Sequence, residues 1–301
     1  MVDNKTLLDL GMNIVDRVSD AIIKTSKEKS LGTEIGTAGA GGDLTKFADE
    51  LSEKIVKETV NKFTKRHSDV GIILITEETG IIQLTDKKEG IFLILDPLDG
   101  SNNLRPWLTP SPFVSISLAI GYISSVENSI NFDAVEIGIV KDIFNKRTYY
   151  AEKGKGSFVL DFGQIKPSPL DDVEKAIIGI DFDIQQSKYQ KLSIKVNKLM
   201  KDKKCFRRLG SSILDFMKVA CGEYETFVSL GSRLKIHDVA AAQLIVKESG
   251  GIFEFIENNS EKLLQKMLES NDSSLIEANK FRVIASGNQK IHNKVFDLIK
   301  N

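Results

Sequence analysis

The stretch Ile91-Phe92-Leu93-Ile94-Leu95-Asp96-Pro97-Leu98-Asp99-Gly100-Ser101 runs from five consecutive apolar residues straight into two carboxylates. The apolar run reads as a buried strand. Charge at the end of such a strand must be compensated. Asp96 and Asp99 stand three positions apart, with a proline between them that fixes the backbone and Gly100 permitting a tight turn. Both side chains and an intervening carbonyl can then aim at one point. That is an all-oxygen site suited to a hard divalent cation, Mg2+ or Mn2+. The same residues would also serve as an Asx turn capping a helix that begins near Ser101.

Two further segments bring acids to element ends. Glu77-Glu78 follows the apolar run Ile72-Ile73-Leu74-Ile75, and Asp238 opens a helix after Leu234-Lys235-Ile236-His237. Taken singly, the first is a solvated strand end and the second an N-cap. Taken together, clustered carboxylates repel and raise one another's pKa unless a cation neutralises them. Metal binding is the economical explanation.

The rest of the chain gives these segments a frame. Residues 5–29 carry apolar residues at three-and-four spacing and predict an amphipathic helix, and a second helix carries Phe47, Leu51, Ile55, Val56, Val60 and Phe63 with Asp43 as its N-cap. The glycine-rich stretch Gly36–Gly42 between them is expected to hold no regular structure. It lacks the Gly-Lys-Ser/Thr ending of a P-loop, and as a mobile flap it would bring Asp43 and Lys46 near the acids. Strands follow at Phe113–Ile120, Val135–Val140, Thr148–Glu152 and Ser157–Leu160. Pro167-Ser168-Pro169 marks a connection, which divides the chain into halves at 1–165 and 166–301. The second half alternates strand and helix: Ile177–Ile180, a helix at about 186–202, Phe206–Leu209, Ser212–Cys221, Thr226–Leu230, His237–Glu248, Ile252–Phe255, Phe281–Ala285 and Gln289–Lys300. This predicts a layered α/β protein, with residues 256–280 as a charged surface insertion.

Composition excludes several classes. The 301 residues hold 41 Lys+Arg against 42 Asp+Glu, without the basic excess of a nucleic-acid binder. No apolar run is long enough to span a bilayer and the N-terminus lacks a signal-peptide pattern, so a cytoplasmic protein without membrane partners is expected. Cys205 and Cys221 belong to no CxxC or Cys/His cluster, and His67, His237 and His292 form no Ser-His-Asp or Cys-His arrangement.

The set Asp49, Glu77-Glu78, Asp96-Pro97-Leu98-Asp99-Gly100-Ser101 and Asp238-Val239-Ala240-Ala241-Ala242, closing with Gly250-Gly251, resembles the inositol monophosphatase family of Mg2+-dependent, lithium-sensitive phosphatases. Supporting matches are Asp43–Asp49, Pro112–Ser117, the hairpin Ala151–Phe158 and Arg207-Arg208-Leu209-Gly210-Ser211. The resemblance implies a five-layer α/β/α/β/α sandwich, a homodimer or homotetramer, and hydrolysis of a small-molecule phosphate ester by direct attack of water. It implies that Glu77, Asp96 and the Leu98 carbonyl bind a first Mg2+, that Asp96, Asp99 and Asp238 bind a second, and that Glu77 with Asp49 through water binds a third. Mn2+ is a possible substitute. Ser101 aligns with a threonine that helps Glu77 deprotonate the attacking water, and the N–H groups of Gly100 and Ser101, with Asn102, would hold phosphate.

Besides Ser101 for threonine, which keeps the hydroxyl, two features depart from the family pattern. His237 stands where Trp is common, and a packed histidine is the simpler reading. The substrate wall carries Ser229-Leu230-Gly231-Ser232-Arg233, closest to archaeal members that act on both inositol 1-phosphate and fructose 1,6-bisphosphate. Arg233 is a candidate for binding a second phosphate, and Arg207 or Arg208, beside Gly210-Ser211, for the substrate wall. A 3′-phosphoadenosine 5′-phosphate phosphatase and a non-catalytic sugar-phosphate binding protein are the competing readings.

Overall fold

Hydrophobic burial on both faces of one strand organises the molecule. In a computed structural model, which describes residues 2–26, 32–38, 44–87, 89–104, 112–123, 131–181, 194, 205–256 and 262–300, the chain begins with α1 (Asn4–Ser26), β1 (Glu34–Ala38), β2 (Leu44–Lys46) and α2 (Phe47–Arg66). Then come β3 (Gly71–Thr76), β4 (Gly80–Gln83), β5 (Gly90–Asp99), β6 (Ser115–Ile123), β7 (Val135–Asp142), β8 (Arg147–Glu152), β9 (Gly156–Val159) and β10 (Gly163–Gln164). The second half supplies β11 (Ile177–Asp181), β12 (Cys205–Arg207), α3 (Ser212–Ala220), β13 (Thr226–Leu234) and α4 (Ile236–Glu248). It closes with β14 (Ile252–Phe255), α5 (Leu263–Ser270), α6 (Ser274–Ala278), β15 (Phe281–Ser286) and α7 (Gln289–Lys300).

Eight strands form one sheet in the order β10-β9-β8-β7-β6-β5-β3-β4, and five form another in the order β12-β11-β13-β15-β14. Strand β5 shows why its sequence does not alternate. Ile91, Leu93 and Leu95 pack under α1 and α2, while Phe92 and Ile94 pack on the opposite side against α3, α4 and the second sheet. The far face of the five-stranded sheet is covered by Ile291, Val295 and Ile299 of α7. The layers are therefore α/β/α/β/α, as the family resemblance implies. Close contact between the middle layers needs a glycine: a Cβ on Gly138 of β7 would meet the Ala241 carbonyl oxygen of α4 at 2.9 Å.

Several local expectations change. Gly36-Thr37-Ala38 belong to β1, which pairs antiparallel with β2, so part of the glycine-rich stretch is extended and ordered by a strand ladder. Asp43, residues 39–42 and most of the helix expected at about 186–202 lie outside the described residues. Lys46 rather than Asp43 precedes α2. The helix expected near Ser101 is a single 3-10 turn, Ser101–Asn103. Residues 262–278 are not a surface insertion. Leu263, Leu264, Met267, Leu268, Leu275 and Ile276 are buried in the central core, and the segment also clasps the first sheet, where the Ile81 N–H donates to Ser273 Oγ at 2.8 Å. Charged residues on the outer side of two short helices masked this apolar stripe. No helix among the described residues is long and apolar enough to cross a membrane.

Leu264 is fully buried. Leu264→Ala is expected to lower unfolding free energy by about 2–5 kcal/mol, measured by urea denaturation; a change below about 0.5 kcal/mol, the scale of a surface substitution, would contradict the core assignment.

Candidate active site

Parallel pairing gathers the acids. Strands β3 and β5 run side by side with Thr76 opposite Leu95, so Glu77 and Asp96 emerge next to each other at the same sheet end. Beyond Asp96 a bulge intervenes: Asp96 pairs with Ser117 but Asp99 with Ser115. The extra residue on β5 re-aims Asp99 toward the second half of the chain. Asp238 arrives from the first turn of α4. Donor atoms of Asp96, Asp99 and Asp238 lie within 4.8 Å of one another, as do those of Glu77, Asp96 and His237.

Each acid is held by its own local structure. The Leu98 N–H donates to Asp96 Oδ1 at 2.9 Å, so the Asx turn coexists with the cluster. Asp99 Oδ2 accepts from Ser211 Oγ and from the Ile213 N–H at 3.1 Å. Ser211 thus serves Asp99 and caps α3, and it is fully buried. Asp238 Oδ2 accepts from the Lys235 N–H at 2.6 Å, and Asp49 Oδ2 accepts from the Lys46 N–H at 2.7 Å. The two helices α2 and α4 repeat one pattern, a lysine followed three residues later by an aspartate. The turn bearing Glu77 and Glu78 is tied to α2 by Thr76 Oγ1, which donates to buried Glu53 at 2.8 Å, and by Thr79 Oγ1 on the same oxygen.

Burial and mutual repulsion shift these groups. Burial first, then Glu77, Asp99 and Asp238, raise Asp96. Burial and Asp238 push Asp99 up to about 7, against the hydrogen bonds from Ser211 and Ile213. Burial likewise takes Asp49 to about 7, opposed by the Lys46 N–H and helped by Glu78 and Glu77. Glu77 goes the other way, to about 2, because His237 and Lys235 outweigh the cost of its burial. Burial works to keep His237 neutral, but Asp238 and Glu77 overcome it and raise its pKa. Buried acids that resist ionising together, each offering oxygen, form a donor set that fits divalent cations.

The cluster opens into a cleft of about 400 Å3. Its walls place Arg208, Arg233 and Lys280 beside Asn102 and Gly210, with Asp181, Asp215 and Glu277 interspersed. Arg207 is not on this wall; its Nη1 bonds the Phe206 carbonyl at 2.9 Å and its side chain is exposed. Lys46 Nζ donates to Asn102 Oδ1 at 2.7 Å and to Ser101 Oγ at 3.2 Å. Asn103 joins the two halves, donating to the carbonyls of Phe113 at 2.7 Å and Leu209 at 2.9 Å. Gly100 has a φ of 81° and no space for a Cβ, which would stand 2.5 Å from the Phe113 oxygen.

Sequence reasoning missed Lys235, Asp215, Glu277 and Lys280. Lys235 Nζ lies 3.4 Å from Glu77 and 3.6 Å from Glu277. The repeated Lys-x-x-Asp spacing was a signal for it, whereas Glu277 and Lys280 come from the segment read as surface. Burial drives Asp215 up to about 8.

A model of the inositol monophosphatase family matches residues 3–298. The bifunctional NADP phosphatase/NAD kinase of Methanococcus maripaludis is 31% identical over 260 residues, 82% of this chain and 43% of that protein. The fructose-1,6-bisphosphatase/inositol-1-monophosphatase of Methanothermobacter thermautotrophicus is 28% identical over 293 residues, 97% of this chain and 95% of that one. The chain spans about half the length of the NADP phosphatase/NAD kinase proteins it matches. The crystal structure of the extragenic suppressor protein suhB from Bartonella henselae shares the fold, with a TM-score of 0.74 over 98% of this chain and 99% of that one at 23% identity.

A carboxyl whose folded pKa is raised favours the fold while it is protonated, and that contribution is lost as pH rises through the folded value. For Asp49 and Asp99 the window runs from 3.8 to about 7, whereas Glu77 acts only between 4.5 and about 2. The Tm of chelator-treated protein should therefore fall between about pH 4 and pH 7, and Mg2+ should restore it most at the upper end. A metal-free Tm that rises across this window would contradict the crowding of these acids.

Proposed function

Because the chain belongs to the inositol monophosphatase family, a Mg2+-dependent family, we propose that it is a phosphomonoesterase that hydrolyses a small phosphate ester by direct attack of water. The observation that carries this reading is the convergence of Glu77, Asp96, Asp99 and Asp238 at one end of the cleft. Glu77, Asp96 and the Leu98 carbonyl would hold one cation, and Asp96, Asp99 and Asp238 a second, with Asp49 supporting a third through water. Bound divalent cations supply Lewis acidity, lowering the pKa of water and neutralising charge on phosphoryl oxygens and the leaving alkoxide.

The side chains divide the remaining work. Glu77, kept ionised by His237 and Lys235, accepts a hydrogen bond from the attacking water and orients it. Ser101 Oγ accepts from Lys46, so its own O–H is left to donate into the site. The loop N–H groups of Gly100 and Ser101 and the amide of Asn102 hold the phosphoryl group. Ser211 contributes by fixing Asp99. Histidines His67 and His292 play no part: the first stacks on Phe63 at 4.3 Å and the second meets Glu254 at 2.6 Å.

Arg208, Arg233 and Lys280 line the same cleft as the carboxylate cluster, and cations there favour a substrate with a second anionic group. Fructose 1,6-bisphosphate fits that description. So do 3′-phosphoadenosine 5′-phosphate and NADP, the latter suggested by the named activity of the Methanococcus relative. Inositol 1-phosphate lacks a second phosphate and serves as the comparison.

Phosphate release with and without Mg2+ across these four compounds tests the reading. Mg2+-dependent turnover is expected, with kcat/KM ranked toward substrates bearing a further phosphate beyond the one hydrolysed. A Mg2+-induced thermal shift without any turnover would favour a non-catalytic binding protein. Asp99→Asn removes a metal donor at nearly constant volume, so kcat should fall about a hundredfold or more while the folded spectrum is kept. Arg233→Ala should raise KM about tenfold or more for the bisphosphates alone, the scale of one charge-assisted hydrogen bond.

A further inference from the structure

His237 occupies the first turn of α4 and is 1% exposed. Its Nε2 stands 3.7 Å from Glu77 Oε1 and 4.0 Å from Asp238 Oδ1. Both separations exceed the roughly 3.2 Å of a good hydrogen bond. Two donors of one cation, each held at about 2.1 Å, stand between about 3.0 and 4.2 Å apart, a span that contains the 3.7 Å between His237 Nε2 and Glu77 Oε1. Nδ1 is buried with no hydrogen-bond partner among the described residues, and the ring's contacts with the carboxylates lie on its Nε2 side. Glu77, Asp96 and His237 form one set of donors, and Asp96, Asp99 and Asp238 the adjoining set. The second set is all oxygen; the first carries a nitrogen.

We propose that His237 Nε2 is a ligand of the cation held by Glu77 and Asp96, and that this mixed site takes Mn2+ or another first-row transition ion in preference to Mg2+. The proposal rests on the metal-dependent reading above and adds to it a ligand and a selectivity. Mg2+ favours oxygen donors in near-ideal octahedra, whereas imidazole binds the transition ions more readily. The adjoining oxygen-only set keeps its preference for Mg2+, so the two neighbouring positions hold unlike cations. Asp96 is common to both sets.

The test uses Mn2+ as the probe on the purified chain. Electron spin-echo spectroscopy reads nitrogen nuclei coupled to bound Mn2+, and calorimetry compares Mn2+ with Mg2+ affinity. Wild-type protein should show imidazole 14N coupling that changes to the 15N pattern when only histidine is 15N-labelled. His237→Gln should lose the coupling, and its preference for Mn2+ over Mg2+ should fall at least about tenfold. Labelled wild-type protein decides the question even if the variant fails to fold. Bound Mn2+ without histidine nitrogen coupling would overturn the role of His237 and leave an all-oxygen metal site standing. No cation bound to the wild-type protein would overturn both this proposal and the metal-dependent reading beneath it.

Discussion

Carboxylate repulsion in a water-poor setting is the constraint on which this structure turns. Asp96, Asp99 and Asp238 place donor oxygens within 4.8 Å of one another, at the end of a strand whose apolar residues are almost wholly buried. Their ionised forms are disfavoured by burial and by each other. A chain free to relax would move them apart. The fold prevents this because Asp96 and Asp99 are held on β5 and Asp238 on α4, and those elements are packed by hydrophobic surface far larger than the site itself.

The supporting bonds show how the strain is distributed. Backbone N–H groups of Leu98, Ile213 and Lys235 fix one oxygen each of Asp96, Asp99 and Asp238. Such bonds favour the charged form. Glu77 is treated differently, lying beside Lys235 and His237, which hold its pKa low. The site thus combines acids that resist ionisation with one that is ionised throughout the physiological range, an arrangement suited to binding cations and orienting a polar reactant together.

Asn103 and Ser211 link the two halves. Asn103 reaches the Leu209 carbonyl, and Ser211 reaches Asp99, across more than a hundred residues of sequence. These bonds, with α3 and α4 packed between the sheets, make the cleft a product of both halves. The segment 262–278 adds a third tie, since Glu277 meets Lys235 from the cleft wall while Leu264 and Met267 anchor it in the core.

Much of this was legible in one dimension. The unbroken run Ile91–Leu95 announced a strand covered on both faces, and Asp96-Pro97-Leu98-Asp99-Gly100 announced a turn carrying two acids, because apolar periodicity and turn chemistry are local properties of a sequence. The glycine-rich stretch and the segment 256–280 were read less well. Strand pairing between Glu34–Ala38 and Leu44–Lys46, and burial of one side of two short charged helices, depend on partners that composition does not reveal. The same holds for the site. Sequence could name Glu77, Asp96, Asp99 and Asp238, but only the parallel register of Gly71–Thr76 against Gly90–Leu95 and the bulge at Asp99 decided that they meet. Only tertiary packing brought Lys235, His237 and Arg208 into their company and left Arg207 outside, because side-chain direction at a strand end or a helix start is set by what the element packs against.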